Sequence, residues 1–276
     1  MQVDRRGVQC SCRGLYAQKN FADTVCNMSI AIFDIDNTLV RGSTAFPAVR
    51  ALARAGLIES RGLYGAVYEQ LRFRFTATEP DLAQLRSRAL AAIRDVSVLK
   101  IDEVLDSVAD RLVAKAVFPG SLKLIRSHLE MGDEVWLATA GPARLANMIA
   151  QRLGAHGAIG SEVEVEDGRC TGALAGPFLH GEEKAAAVAT LAEARGWDPA
   201  AIHAYSDSFR DLPMLLLASV PNVVNPDSKL RRFAESRNWP IHDTSNRNRN
   251  KKLTGLTAAS LALVAASGAI FTRRER

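Results

Sequence analysis

A short apolar run that ends at two aspartates constrains the fold of this 276-residue chain more than any other feature. The run is Ser29–Phe33, and it stops at Asp34, Asp36 and Thr38 in the stretch DIDNT. An apolar strand that ends in carboxylates is typical of a buried parallel strand, whose carboxyl end opens on a binding site. The run therefore predicts an α/β fold with a site at one edge of its sheet.

Apart from a first strand near residue 30, the predicted strands and helices alternate along the chain after residue 117. The strands are predicted at Ser29–Phe33, Glu134–Ala138, Ile202–Tyr205 and Asn222–Val224, and the helices at Ser121–Met131, Ala143–Leu153, Glu182–Arg195 and Pro213–Ala218. A hairpin is predicted over Val163–Ala173, because Asp167 and Gly168 form a turn signal between two short runs. This order predicts a doubly wound, Rossmann-like parallel sheet with helices on both faces.

Residues 47–116 have a helical pattern that interrupts this alternation. Breaks fall near Gly56–Ser60, Thr76–Pro80 and Asp95–Lys100, so about four helices are predicted and no strand. The sequence thus divides into a core of residues 29–46 and 117–245 with a helical insertion at 47–116.

The net charge of +5 belongs mostly to the two ends of the chain. Residues 30–246 contain 24 Lys and Arg against 27 Asp and Glu, a net charge of −3. Nucleic-acid binding needs basic charge spread over a folded face, so we expect no nucleic-acid partner.

The first 28 residues contain no apolar run of the signal-peptide type and are predicted to be a disordered extension. Three of the four cysteines, Cys10, Cys12 and Cys26, lie there, and the fourth is Cys170. Their spacing does not match a zinc site, and free thiols in a reducing compartment are the simplest interpretation. We therefore expect the body of the protein in the cytoplasm.

The C-terminal segment 253–272 contains 20 uncharged residues between two basic clusters. A bilayer-spanning helix needs about 20 residues, so the segment predicts a membrane anchor at the cytoplasmic face. Its many Ala, Ser, Thr and Gly residues contribute little insertion energy, and the alternative is a terminal helix that packs on the domain or stays loosely ordered.

Polar residues follow three predicted strands, at Asp34 with Asp36, at Thr139 and at Asp207. The carboxyl ends of parallel strands converge, and carboxylates brought close together favour a bound cation. Hard oxygen ligands suit Mg²⁺. Taken singly, these residues have simpler interpretations: an Asp-x-Asp turn, and an acid in a first helical turn for Asp207.

A second group of residues suits an oxyanion. Lys184, near a helix N-terminus, can grip a phosphoryl oxygen, and Thr139 with the backbone N–H groups of Ala140 and Gly141 can cradle one. The alternatives are that Lys184 is a solvated helix residue and that Thr139 caps the helix beginning at Ala143.

These residues occur in the order of the four motifs of the haloacid-dehalogenase superfamily, and the chain resembles its phosphoserine-phosphatase-type branch, subfamily IB. The matching segments are FDIDNTLV (Phe33–Val40), LATAG (Leu137–Gly141), Lys184 and YSDSFRDLPML (Tyr205–Leu215), the last with acids at Asp207 and Asp211. The resemblance spans about residues 29–242, and the helical insertion 47–116 corresponds to the helical cap of that branch.

The resemblance implies a role for each of these positions. Asp34 is the expected nucleophile that forms an aspartyl-phosphate, and Asp36 is the expected general acid and base. Mg²⁺ is expected on the Asp34 side chain, the Asp36 carbonyl and Asp207, with Asp211 supporting the metal shell or pairing with Lys184. Thr139, Ala140, Gly141 and Lys184 are the expected phosphate ligands.

The sequence also departs from the amino-acid phosphatases of that branch. No acid follows Asp36 until Glu59, the second motif is TAG, and Arg210 stands where a small or amide residue is usual. The predicted function is therefore a Mg²⁺-dependent phosphatase of a small-molecule or lipid phosphomonoester, with the substrate left open. The alternatives are a phosphotransferase and a non-catalytic, membrane-tethered phospholigand-binding protein.

Overall fold

Parallel strands form the centre of the fold. The computed structural model describes residues 28–59 and 82–244. The strands of its main sheet are β1 (Ile30–Asp34), β2 (Glu134–Pro142), β3 (Gly157–Ser161), β6 (Ile202–Ser206), β7 (Val220–Val224) and β8 (Ile241–His242). Their order is β3-β2-β1-β6-β7-β8, and every pairing is parallel. The predicted doubly wound α/β fold is confirmed.

The direction of winding reverses at the central strand β1, which pairs with β2 on one side and β6 on the other. The chain completes β2 and β3 first and then crosses to β6, β7 and β8. In open α/β sheets, ligands bind in the crevice at the carboxyl ends of the strands where the order reverses. That crevice lies beyond Asp34 and Ser206, the last residues of β1 and β6.

Helices cover both faces of the sheet. The described residues form α1 (Ala45–Arg54), α2 (Leu82–Ala92), α3 (Val98–Lys115), α4 (Pro119–Met131), α5 (Ala143–Leu153), α6 (Glu182–Arg195), α7 (Leu212–Leu217) and α8 (Ser228–Ser236). Side chains of β1 point alternately to the two faces: Ala31 and Phe33 join the apolar cluster under α1, α3 and α5, and Ile30 and Ile32 join the cluster under α6, α7 and α8. A strand buried on both faces explains why this run is continuously apolar.

The helical insertion is attached to the core through α3 and α5. Leu105 and Val108 of α3 share one buried cluster with Leu145 and Ile149 of α5. Ion pairs lie along the edge of this contact, joining Arg144 to Asp102 at 2.8 Å and Arg152 to Asp106 and Asp110 at 2.7 Å each. Because these pairs are partly exposed, the apolar contact supplies most of the attachment energy.

The two chain segments that enter and leave the insertion are hydrogen-bonded to each other. Arg41 N donates to Ala116 O at 2.8 Å, and Phe118 N donates to Leu39 O at 2.9 Å. Val40 and Val117 form an antiparallel bridge between these two bonds. The insertion is therefore closed at its base by a short paired segment of the core.

The predicted hairpin is confirmed and links the core to the insertion. Its strands are β4 (Val163–Glu166) and β5 (Arg169–Leu174), with positive φ at Asp167 and Gly168 in the turn. Cys170 exchanges backbone hydrogen bonds with the segment between α2 and α3: Asp95 N donates to its carbonyl at 2.8 Å, and its N–H donates to Val96 O at 3.0 Å.

Three predicted segments lie wholly or largely outside the described residues: the N-terminal extension 1–28 apart from Met28, the break at Thr76–Pro80 and the anchor 253–272. None of the helices within 28–59 and 82–244 combines the length and the apolar character that crossing a membrane requires. Membrane attachment through 253–272 stays a prediction.

Candidate active site

Buried polar groups collect at the carboxyl end of the central strand, where the fold places its crevice. Asp34 ends β1, Asp207 and Asp211 follow β6, Lys184 lies in the first turn of α6, and Thr139 lies near the end of β2. All five residues are at most 5% exposed. Such burial is rare for charged residues unless they are paired, so the contacts among them carry the chemistry of the site.

Lys184 lies between two carboxylates. Its Nζ is 2.8 Å from Asp34 Oδ1 and 2.9 Å from Asp211 Oδ1. Burial alone would lower the pKa of Lys184, but the charges of Asp34 and Asp211 outweigh burial and raise its pKa above the usual range. The lysine is therefore a fixed positive charge, which contradicts the alternative of a solvated helix residue.

The positive charge around Asp34 is too small to keep this buried carboxylate ionised at low cost. Burial raises its pKa to about 7, and although Lys184 opposes this rise, the neighbouring charges of Asp211 and Asp36 add to it. One ammonium thus faces several carboxylates in a site largely closed to water. An additional cation would lower the cost of keeping Asp34 ionised.

Asp36 lies further out, is half-buried, and is held by the entrance of α1. Its Oδ1 accepts hydrogen bonds from Thr44 N at 2.9 Å and from Thr44 Oγ1 at 2.8 Å, and its Oδ2 accepts a longer bond from Ser43 Oγ at 3.3 Å. Burial raises the pKa of Asp36, and the bonds from Thr44 act against that rise. The carboxylate is thereby fixed in orientation with its Oδ2 the less tightly bound oxygen.

The chain makes a tight turn between Asp34 and Val40, and this turn sets the positions of Asp34 and Asp36. Ile35 O accepts from both Leu39 N and Val40 N, at 3.0 and 2.8 Å. Asn37 has a φ of +62°, in the left-handed region that asparagine tolerates better than most residues, and its Oδ1 accepts from Gly42 N at 3.1 Å. The turn lets the chain leave β1 while both carboxylates stay near the crevice.

The segment after β6 supplies a second pair of acids. Ser206 Oγ donates to Asp211 Oδ2 at 2.7 Å. The end of β6 thus holds Asp211, which is the partner of Lys184, in place. Asp207 Oδ1 accepts a long bond of 3.4 Å from Thr38 Oγ1, which joins this segment to the turn after β1. The structure therefore brings the acids of the first and fourth motifs to one place, as the sequence predicted.

Thr139, Ala140 and Gly141 lie at the end of β2, which extends to Pro142. Gly141 N donates to Thr139 Oγ1 at 2.9 Å. The residue that precedes α5 is Pro142, with no side-chain cap, so the alternative that Thr139 caps this helix is wrong. A Cβ on Gly141 would lie 3.2 Å from Thr139 Oγ1 and 3.5 Å from Thr44 Oγ1, which places this segment against the groups that hold Asp36.

Three hydroxyl residues of the site did not emerge from the sequence: Ser43, Thr44 and Ser206. Ser206 directly precedes Asp207, and a hydroxyl at a strand end beside an acid is a usable signal. Thr44 precedes α1, where a threonine ordinarily caps the helix; here its hydroxyl donates to Asp36 instead.

The residues present fit a magnesium ion. Asp34 and Asp207 offer carboxylate oxygens at adjacent strand ends, the type of donor that Mg²⁺ prefers. Within the described part of the chain, no group of three or more His, Cys, Asp or Glu side chains is placed to hold a metal. A metal here would therefore use carbonyl or water oxygens in addition, which is usual for Mg²⁺.

A cavity of about 730 Å³ opens beside these residues. It begins at Asp36, Ser43 and Gly141 and extends between the helical insertion, α5 and the β4–β5 hairpin. Asp36 lines the cavity, whereas Asp34 and Lys184 are buried and are not among its lining residues.

Known proteins are similar to this chain in sequence and in fold. A sequence model of the haloacid dehalogenase-like hydrolase family matches residues 31–216. Phosphoserine phosphatase SerB1 of Mycobacterium tuberculosis is 40% identical over 248 residues, which cover 89% of this chain and 80% of that protein.

Two solved structures have similar folds. A protein of unknown function from Bordetella pertussis Tohama I has a TM-score of 0.69 and 25% identity, covering 79% of this chain and 100% of that chain. A substrate-bound phosphoserine phosphatase has a TM-score of 0.57 and 20% identity, covering 82% of this chain and 98% of that chain. The chain belongs to the haloacid dehalogenase-like hydrolase family and is a phosphatase similar to phosphoserine phosphatases.

Proposed function

We propose that this chain is a Mg²⁺-dependent phosphomonoester phosphatase that works through an aspartyl-phosphate on Asp34. The observation that carries the proposal is the buried contact of 2.8 Å between Lys184 Nζ and Asp34 Oδ1 at the carboxyl end of the central strand. A lysine in this position orients the carboxylate and adds positive charge where a phosphoryl group would arrive.

Each step uses a residue of the chain. The carboxylate of Asp34 attacks phosphorus, a new bond to one of its oxygens forms, and the bond from phosphorus to the ester oxygen breaks. Asp36 gives a proton to the departing oxygen. Asp36 then takes a proton from a water molecule that attacks the aspartyl-phosphate, which releases inorganic phosphate and restores Asp34.

The other residues stabilise charge. Lys184 is assigned to the phosphoryl oxygens together with Thr139, Ala140 and Gly141. Mg²⁺ would be held by the Asp34 side chain, the Asp36 carbonyl and Asp207, and it would neutralise charge on the transferring group. We assign Asp211 to hold Lys184 in place, supported by the bond from Ser206.

The division of the chain follows the same proposal. Residues 29–46 and 117–245 are assigned to the catalytic core, and residues 47–116 to a cap that covers the crevice. The cavity between α5 and the helices of the insertion supports this assignment. Many of its lining residues lie outside the four motifs, so those residues would select the substrate.

The test uses the full chain with p-nitrophenyl phosphate. We expect a chelator to remove turnover and Mg²⁺ to restore it better than Ca²⁺, because Ca²⁺ favours a larger and more flexible oxygen shell. Asp34→Asn should abolish turnover without unfolding the protein. Asp167→Asn is the matched control, since Asp167 lies in the hairpin turn with a positive φ that asparagine tolerates. Full activity of Asp34→Asn, or full activity in chelator, would contradict the proposal.

A further inference from the structure

The cavity beside Asp36 is larger than an amino-acid phosphate requires. Its volume of about 730 Å³ lies in the range of pockets that bury drug-sized ligands, roughly 300–1,000 Å³. It is also continuous with the proposed reaction site, because Asp36, Ser43 and Gly141 line its inner end. Its outer part is therefore positioned to receive whatever is esterified to the phosphate.

The outer walls of this cavity are predominantly apolar. Side chains from α1, α2, α3 and β5 line it, including Val49, Leu52, Ala89, Leu90, Leu105 and Leu174. Water against such a surface is unfavourable, and burying an apolar group there is favoured in proportion to the area covered.

Two of the basic side chains at the rim already contact other protein groups. Arg144 pairs with Asp102 at 2.8 Å, and the guanidinium of Arg86 lies 5.0 Å from the ring centre of Phe178. An amino-acid phosphate brings an ammonium and a carboxylate that must each exchange water for a partner. The lining offers such a substrate Asp102 Oδ1, a buried oxygen without a hydrogen-bond partner among the described residues, and Glu162, but most of its exposed surface is apolar.

We propose that the preferred substrate is a phosphomonoester with a long alkyl or acyl chain that lies in this cavity. The inference rests on the proposed phosphatase function and names its substrate class. The phosphate lies at Asp34 and Lys184, the ester oxygen lies near Asp36, and the chain extends between α1, α2 and α3. The reaction remains hydrolysis of the phosphate ester, so the products are inorganic phosphate and the long-chain alcohol.

The test compares the full chain on a series of alkyl monophosphates from butyl to decyl, each below its critical micelle concentration, with p-nitrophenyl phosphate and phosphoserine alongside. Burying one methylene is worth at most about fourfold in affinity. We expect kcat/KM to rise by about 100-fold or more from butyl to decyl phosphate. Phosphoserine should be a poorer substrate than decyl phosphate.

A pair of variants on one helix checks that this gain arises in the cavity. Ala89 of α2 lines the cavity and is half-buried, whereas Ala91, two residues away, is exposed and is not part of the lining. Ala89→Phe should lower the ratio of decyl to butyl activity at least tenfold, and Ala91→Phe should leave the ratio unchanged. Thermal unfolding of both variants shows whether they are folded.

The possible results separate the two levels of the proposal. Turnover of p-nitrophenyl phosphate with no gain along the series, or with phosphoserine preferred, would overturn the long-chain substrate and leave the phosphatase function standing. A flat series is also the result expected if another part of this chain fills the cavity. No turnover of any compound would overturn both.

Discussion

The ammonium of Lys184 and the carboxylate of Asp34 are 150 positions apart in the chain and 2.8 Å apart in the fold. Both side chains are buried, and the same ammonium contacts Asp211. A lysine shared by two buried carboxylates supports the fold as well as the reaction, because each carboxylate would otherwise lose its hydration without a partner.

Replacing Lys184 should therefore reduce both stability and activity. Lys184→Met leaves Asp34 and Asp211 without their shared cation, and we expect the free energy of unfolding at neutral pH to fall by about 3–5 kcal/mol. Urea unfolding in chelator measures this loss. Adding Asp211→Asn should recover part of it, and a double variant no more stable than Lys184→Met would contradict the account. Lys100→Met, on the exposed side of α3, is the matched control.

Asp36→Asn should slow turnover to an extent that depends on the leaving group. An alkyl alcohol needs a proton as it departs, whereas p-nitrophenolate does not. We expect a loss of about 10²–10⁴-fold for an alkyl phosphate and a smaller loss for p-nitrophenyl phosphate in the step that forms the phosphoenzyme. Rapid-quench measurement of that step distinguishes the two substrates. Equal losses would argue against a general-acid role for Asp36.

Much of the fold could be predicted because its elements carry local signals. The helices Ala143–Leu153 and Glu182–Arg195 end where the sequence places their glycines, Gly154 and Gly196, both with positive φ. The apolar run before Asp34 predicts the central strand and, with it, the position of the site. These features depend on residues close together in the chain, so they can be read from the sequence.

Other elements depend on distant contacts and were not predicted. The strand Gly157–Ser161 contains a single large apolar residue, and it forms because Gly157 packs against Trp136 of β2, where a Cβ would lie 2.6 Å from the ring. The strand Ile241–His242 is too short to give a pattern. The helix Ser228–Ser236 was also missed, although Asp227 caps it in the ordinary way.

The contact between Thr44 and Asp36 could not be predicted for a similar reason. It requires α1 to start at one position and angle relative to the turn after β1, and the sequence around Thr44 specifies only that a helix begins there. The chemistry of a site follows from residue types, whereas the orientation of its groups follows from packing.

Gly160 allows β3 to lie close to the start of α5. A Cβ at this position would lie 2.8 Å from Ala143 Cα and 2.9 Å from Gly141 O, both backbone atoms that cannot move away alone. Gly160→Ala should lower the free energy of unfolding by about 1–3 kcal/mol. Gly176→Ala is the control, because no atom lies within 4 Å of the added Cβ. Chemical denaturation of both variants checks the difference, and equal stabilities would contradict it.

Stability should also depend on the histidines of β6 and β8. Burial lowers the pKa of His203, with a further contribution from His128, and burial alone lowers the pKa of His242. The unfolded chain therefore binds these protons at a higher pH than the folded protein does, and their contribution to stability is lost as pH falls below about 6.5.

Replacing either histidine should reduce that loss. Between about pH 7 and about pH 5, His203→Gln and His242→Gln should each lose less unfolding free energy than the unchanged protein. Urea unfolding at the two pH values measures the difference. A pH dependence identical in all three proteins would show that these side chains are not the source.

The paired segment at Leu39–Arg41 and Ala116–Phe118 has a consequence for how enzymes of this design can diversify. The helical insertion begins and ends at one hydrogen-bonded ladder. At the level of the sheet, it therefore joins the core in the same way as a single short hairpin would. Helices beyond that ladder are therefore expected to tolerate changes in length, provided that the face of α3 that packs against α5 is kept. Chimeras joined at these residues are thus a direct route to phosphatases with new preferences on an unaltered hydrolytic core.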